Sequence, residues 1–154
     1  MHSYKHFIDL MQRSDTAAKL GIDNSIPKEL DCNLRLLFQH YMSLADCFPK
    51  GKSIYITSGY RCPRLNKAVG GVSNSNHTKC CAFDFAFNFV SSKSEFLETL
   101  DRLKSYYLSY YQREFDVDYR AALKRFNHHF ILYPDRLFVH YQIIPGFMED
   151  FPIW

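Results

Sequence analysis

Between Ala82 and Phe89 the chain reads Ala-Phe-Asp-Phe-Ala-Phe-Asn-Phe, with phenylalanine at every second position. That period suits a strand with one packed face and does not suit an amphipathic helix, whose apolar positions recur every three or four residues. Phe83, Phe85, Phe87 and Phe89 therefore share the core face, and Asp84 points to the other side between Ala82 and Ala86. These small neighbours leave room beside the carboxylate for an ion and a substrate. A second alternating run starts at Leu137: Leu137, Val139, Tyr141 and Ile143 share one parity, and Phe138, His140 and Gln142 the other, so it too predicts a strand. If the two strands pair, His140 and Asp84 can face the same side.

His77 lies seven positions ahead of Asp84, in the loop that feeds the strand, and such a loop can fold back to set an imidazole beside the carboxylate. A catalytic zinc site uses three protein ligands and a water. His140 is the best candidate for the third. Taken alone, a single histidine in an apolar strand is more often a hydrogen-bonded core residue than a ligand. The adjacent Cys80 and Cys81 offer thiolate ligation as an alternative, without the C-x-x-C spacing of a zinc knuckle.

From His6 to Gly21 the pattern predicts two short helical pieces, the second capped by Gly21. Leu30, Leu34, Leu37, Tyr41, Leu44 and Phe48 recur at spacings of four and three, which predicts a helix near 28–47 ended by Pro49. His40 on that helix reads as a surface or capping residue. Ile54 and Ile56 mark a strand that leads into an arginine-bearing loop. The glycine-, serine- and asparagine-rich stretch 69–76 reads as a substrate-facing loop. Ser92 and Glu95 have capping-box spacing ahead of a helix carrying Phe96, Leu100, Leu103, Tyr107 and Tyr110. Residues 112–127 leave room for another helix, of opaque function. His128 and His129 open a strand-like run, and Pro134-Asp135-Arg136 forms a turn before the His140 strand. The expected fold is one α+β domain over 1–154. Its small, mainly antiparallel sheet comes from strands near 53–58, 82–89, 129–133 and 137–143, flanked by helices near 28–47 and 93–110.

A composition 47% hydrophobic and 17% aromatic is that of a globular domain. A net charge of +3 with no basic stripe argues against a nucleic-acid partner. No apolar run of about 18 residues predicts membrane insertion. The first twenty residues hold no secretory signal pattern, so cytoplasmic synthesis and free thiols at all five cysteines are expected; a monomer is also expected.

The run Ser75-x-His77-x-x-Cys80-x-Ala82-x-Asp84 resembles the S-x-H-x-x-G-x-A-x-D signature of the zinc D-alanyl-D-alanine carboxypeptidases. That family includes phage cell-wall endopeptidases and shares the Hedgehog-type fold. Ile56-Thr57-Ser58-Gly59-Tyr60-Arg61-Cys62-Pro63 resembles its I-T-S-G-Y-R-x-P element, and Phe138-Val139-His140 its W-x-H ligand strand. The likeness also reaches upstream through Ser14–Ala18 and Gly21–Asn24. The chain departs from the pattern at Cys80, where the family has glycine, at Cys81, where an acid is common, and at Phe138, where tryptophan is usual. Glycine marks backbone angles that other residues adopt at a cost, so Cys80 bears on the shape of the loop.

The resemblance implies a zinc ion held by His77, Asp84 and His140, and a peptide substrate from peptidoglycan, with Arg61 and Ser75 facing it. The planar, always-charged fork of Arg61 suits a carboxylate or a developing oxyanion; its other reading is a buried ion pair that holds the loop. Hydrolysis also needs a base for the attacking water. The family places an acid shortly before the last histidine, but here Leu137 stands three positions ahead of His140. Asp135, five ahead, is the nearest acid and the expected base, with Tyr133, His128, His129, Glu149 and Asp150 as further candidates. Two functions stay open. One is a zinc peptidase of carboxypeptidase or endolysin type that reaches the bacterial wall after release. The other is a metal-retaining wall-binding module of the same fold. A base carboxylate placed near the metal separates them.

Overall fold

Four strands, β1 (Ile54–Ser58), β2 (Ala82–Phe87), β3 (Phe130–Tyr133) and β4 (Phe138–Gln142), make one antiparallel sheet in the order β1-β2-β4-β3. The computed structural model from which this architecture is described covers residues 3–143. The two alternating segments are thus the two central strands. β2 stops at Phe87, short of the expected Phe89. Asn88 Oδ1 accepts the Ser53 N–H and Val90 N–H donates to the Phe87 carbonyl, which turns the chain out of the sheet.

Phe83, Phe85, Val139 and Tyr141 are fully buried on one face of the sheet. Helices α1 (Tyr4–Gln12), α3 (Asp31–Asp46), α5 (Lys93–Phe115) and α6 (Tyr119–His129) bury side chains in the same core, and α2 (Asp15–Leu20) and α4 (Pro63–Ala68) are two shorter helices outside it. Leu34, Leu37, Tyr41 and Leu44 supply the apolar stripe of α3, and Phe96, Leu100, Leu103 and Tyr107 that of α5. Local chemistry sets the helix ends. Ser14 and Ser92 accept N–H bonds as N-caps, Glu95 reaches back to the Ser91 N–H, and Gly21 ends α2 in the left-handed region at φ 61°.

Three expectations change. His40 is not at the surface: it is 1% exposed, and its Nδ1 lies 2.6 Å from the Tyr141 hydroxyl. His128 and His129 end a helix rather than open a strand. Asp118 caps α6, and Ala122, Phe126 and His129 form its buried stripe at spacings of four and three, a helical period that overrides the strand-like reading. The arginine loop contains the short helix α4, with Pro63 at its first position, where a missing N–H costs nothing.

Candidate metal centre and cleft

Pairing of β2 with β4 places Asp84 and His140 directly opposite each other, so their side chains leave the sheet on the same face. His77 arrives from a 3₁₀ turn, Asn76–Lys79, capped by the Ser75 hydroxyl, which accepts the His77 N–H. That turn ends at Cys80 with φ 54°, the left-handed conformation for which glycine is the easy residue. His77 Nε2 lies 3.3 Å from Asp84 Oδ1, His140 Nδ1 lies 2.8 Å from the same oxygen, and ligand atoms of the three residues all fall within 4.8 Å of one another.

Neighbouring groups decide which nitrogen each histidine turns to this point. His77 Nδ1 sits 2.7 Å from the Gly59 carbonyl, which only accepts, so Nδ1 carries the proton and Nε2 keeps its lone pair. Gly59 is required there, since a Cβ would come within 2.5 Å of the Met11 carbonyl oxygen. On the other side, Gln142 Nε2 donates to the His128 carbonyl, which leaves Oε1 to accept from Asn76 Nδ2. That same oxygen is 3.2 Å from His140 Nε2, so Nε2–H donates to it and Nδ1 is the free donor atom. Both imidazoles therefore offer lone pairs to one point beside a carboxylate, with backbone and amide partners of the kind that orient metal ligands.

Three converging electron-rich atoms repel one another unless a proton or a cation lies between them. Burial works against ionisation of Asp84, but in the metal-free site a proton taken up on His140 Nδ1 or His77 Nε2, with the hydrogen bond and positive charge it brings, outweighs burial and holds the carboxyl well below the usual carboxylate range. A tetrahedral zinc ion with bonds of about 2.0–2.1 Å sets its ligand atoms about 3.3 Å apart; the His77–Asp84 pair stands at 3.3 Å and the His140–Asp84 pair at 2.8 Å. Two nitrogens and one oxygen are a fitting donor set for zinc. The cysteines are not part of it: Cys80 and Cys81 are fully buried in the apolar core, and burial pushes their thiols up to about 12 and about 11.

Asp84 also forms the floor of a cleft of about 570 Å³, walled by Tyr55, Thr57, Ser58 and Arg61 on one side and by Arg136, Leu137 and Phe138 on the other. Arg61 answers both of its readings. Its guanidinium donates to Ser58 Oγ, stands 3.6 Å from Asp84 Oδ2, and still faces the cleft. Ser75 holds the His77 turn and is not among the cleft-lining residues. Asp135 does not join the cluster either. Its carboxylate is largely exposed and takes Lys93 Nζ at 2.6 Å. Of the other base candidates, Tyr133 stacks on Phe138, His129 is buried against the Gln142 carbonyl, and His128 lies in the last turn of α6, while Glu149 and Asp150 lie outside the described residues. Gln142, Asn76 and Gly59 were not singled out from sequence, although Gln142 shares the parity of His140.

A family model described as Peptidase M15 matches residues 6–115, which includes His77 and Asp84. The chain belongs to the peptidase M15 family. No curated protein and no solved structure gives a match. The matched segment of this M15 peptidase ends before β4, so His140 enters the site through the sheet register. No helix among the described residues is long and apolar enough to cross a membrane.

Proposed function

We propose that the chain is a zinc peptidase that hydrolyses a peptide bond in peptidoglycan stem peptides, with His77 Nε2, Asp84 and His140 Nδ1 as the zinc ligands. The observation that carries this reading is the convergence of two imidazoles of fixed tautomer on one oxygen of a buried carboxylate that itself lines a cleft, in an M15 family member. When bound, zinc supplies a Lewis acid for the scissile carbonyl and lowers the pKa of a water. The chain's own residues do the rest. Asp84 stays ionised at neutral pH and brings negative charge to the ligand set. Arg61, fixed by Ser58 and Asp84, presents N–H donors along the cleft wall to a substrate carbonyl or carboxylate. Ser75 supports the reaction through the backbone of His77, and a direct hydrogen bond from its hydroxyl to substrate belongs to the same proposal.

A second reading, a metal-retaining binding module, draws on one observation: Asp84 is the only acid among the described cleft-lining residues. General-base assistance is worth about 100-fold to 10,000-fold, so its loss would leave slow hydrolysis. The two readings separate on purified cell wall incubated with the zinc-loaded protein. Release of new amino termini above a metal-chelated control supports the peptidase. Zinc-dependent wall binding with no release supports the module.

A further inference from the structure

We infer that Arg136 reads a carboxylate on the peptide, about two residues from the bond that is cut; this rests on the peptidase reading of the cleft. Arg61 and Arg136 are the cations that line it, and Asp84 is its only acid among the described residues. Asp84 is already committed to His77, His140 and Arg61. Arg136 has no acidic partner among the described residues, and its sequence neighbour Asp135 is held by Lys93.

The guanidinium is positioned without a counter-charge. It lies over the Phe138 ring, 5.3 Å from its centroid, and that ring stacks on Tyr133 at 4.5 Å and 9°. Local chemistry fixes the turn beneath it: Pro134 occupies the first central position, Arg136 N–H donates to the Tyr133 carbonyl, and Leu137 closes it at φ 57°. A charged fork braced on an aromatic ring and turned into a cleft is built to receive a planar anion bidentately.

Position sets which anion. Phe138 lies two residues from His140 on the same face of β4, about 7 Å at strand rise, so an extended peptide crossing the ligand cluster brings a group about two residues away to Arg136. The carboxylate can be the terminus of the peptide or an acidic side chain.

The test uses three stem-peptide analogues alike except at one group: a free terminal carboxylate, its amide, and the amide carrying a side-chain carboxylate two residues from the cut. Binding is measured by calorimetry on the full chain, zinc-loaded and metal-stripped, and product release on the zinc-loaded form. At least one anionic peptide should bind about 10-fold to 100-fold tighter than the neutral amide, and which one does so identifies the source. Arg136→Ala should erase that ratio, and Arg136→Lys should restore part of it, with zinc content and melting temperature as folding controls. A ratio that survives Arg136→Ala, or no anionic preference in the wild type, overturns the inference. Anionic preference without cleavage of any peptide refutes the peptidase reading and leaves the recognition standing. Cleavage without preference refutes the recognition alone.

Discussion

His140 owes the orientation of its Nδ1 lone pair towards the proposed zinc position to Gln142, whose amide is oriented by Asn76 and the His128 carbonyl so that its oxygen takes the His140 Nε2–H. Gln142→Leu removes that acceptor, and zinc affinity is expected to fall about 10-fold to 100-fold, as for other partners that orient ligands. Competition against a chromophoric chelator measures it, and unchanged affinity would show that the amide has no such role. The position of Gln142 on the His140 face was legible from parity, but its partnership with Asn76, 66 residues away, exists only after folding. Asp135 shows the opposite case, a residue whose sequence position suggested chemistry and whose side chain is taken by Lys93. Asp135→Asn should therefore change turnover by less than about threefold, against the loss of about 100-fold or more expected of a general base. A loss of that larger size would return the base role to Asp135.

Between α3, α6 and β4, His40 and His129 are packed against Tyr141, with ring centroids 5.8 Å and 5.7 Å from it. Burial first, then the charge of His129 and Arg125, pushes His40 down to about 3. Burial also lowers His129 to about 4, helped by His128 and Arg125 and opposed by its hydrogen bond to the Gln142 carbonyl. Both fold in the neutral form, while the unfolded chain takes up protons below about pH 6.5, so stability is present above that pH and is lost as pH falls towards 4. Urea unfolding of the metal-stripped protein should show a loss of about 1–2 kcal/mol per histidine between pH 6.5 and pH 5. His40→Asn should flatten the slope. A stability independent of pH over that range would contradict the buried neutral state. The burial of both histidines is hidden in the sequence for a shared physical reason. Period alone places a residue on a face, but whether that face is covered depends on elements distant in sequence, here β4 over α3 and α6.

For the whole molecule, the two alternating runs were enough to foresee a central antiparallel pair, because one packed face leaves a strand little freedom of register. The heptad-like stripe of α3 and the capping residues of α5 made the covering helices legible too. What remained hidden was the extent of the helical region between Lys93 and His129, where Asp116 breaks the chain at φ 49° with no glycine to announce it. A bound metal would tie these parts together, since the three proposed ligands come from the 3₁₀ turn, β2 and β4. With free zinc at about 100 times its dissociation constant, binding contributes about 2.7 kcal/mol, so chelation should lower the melting temperature by about 5–10 °C. The family match covers two of the proposed ligands and stops before His140, so the metal site rests most on His140. Elemental analysis of zinc after dialysis, on the wild type and on His140→Ala, is the direct test. The account predicts about one zinc per chain in the wild type and a loss of most of it in the variant; a wild type without zinc, or a variant that keeps it in full, would contradict the site.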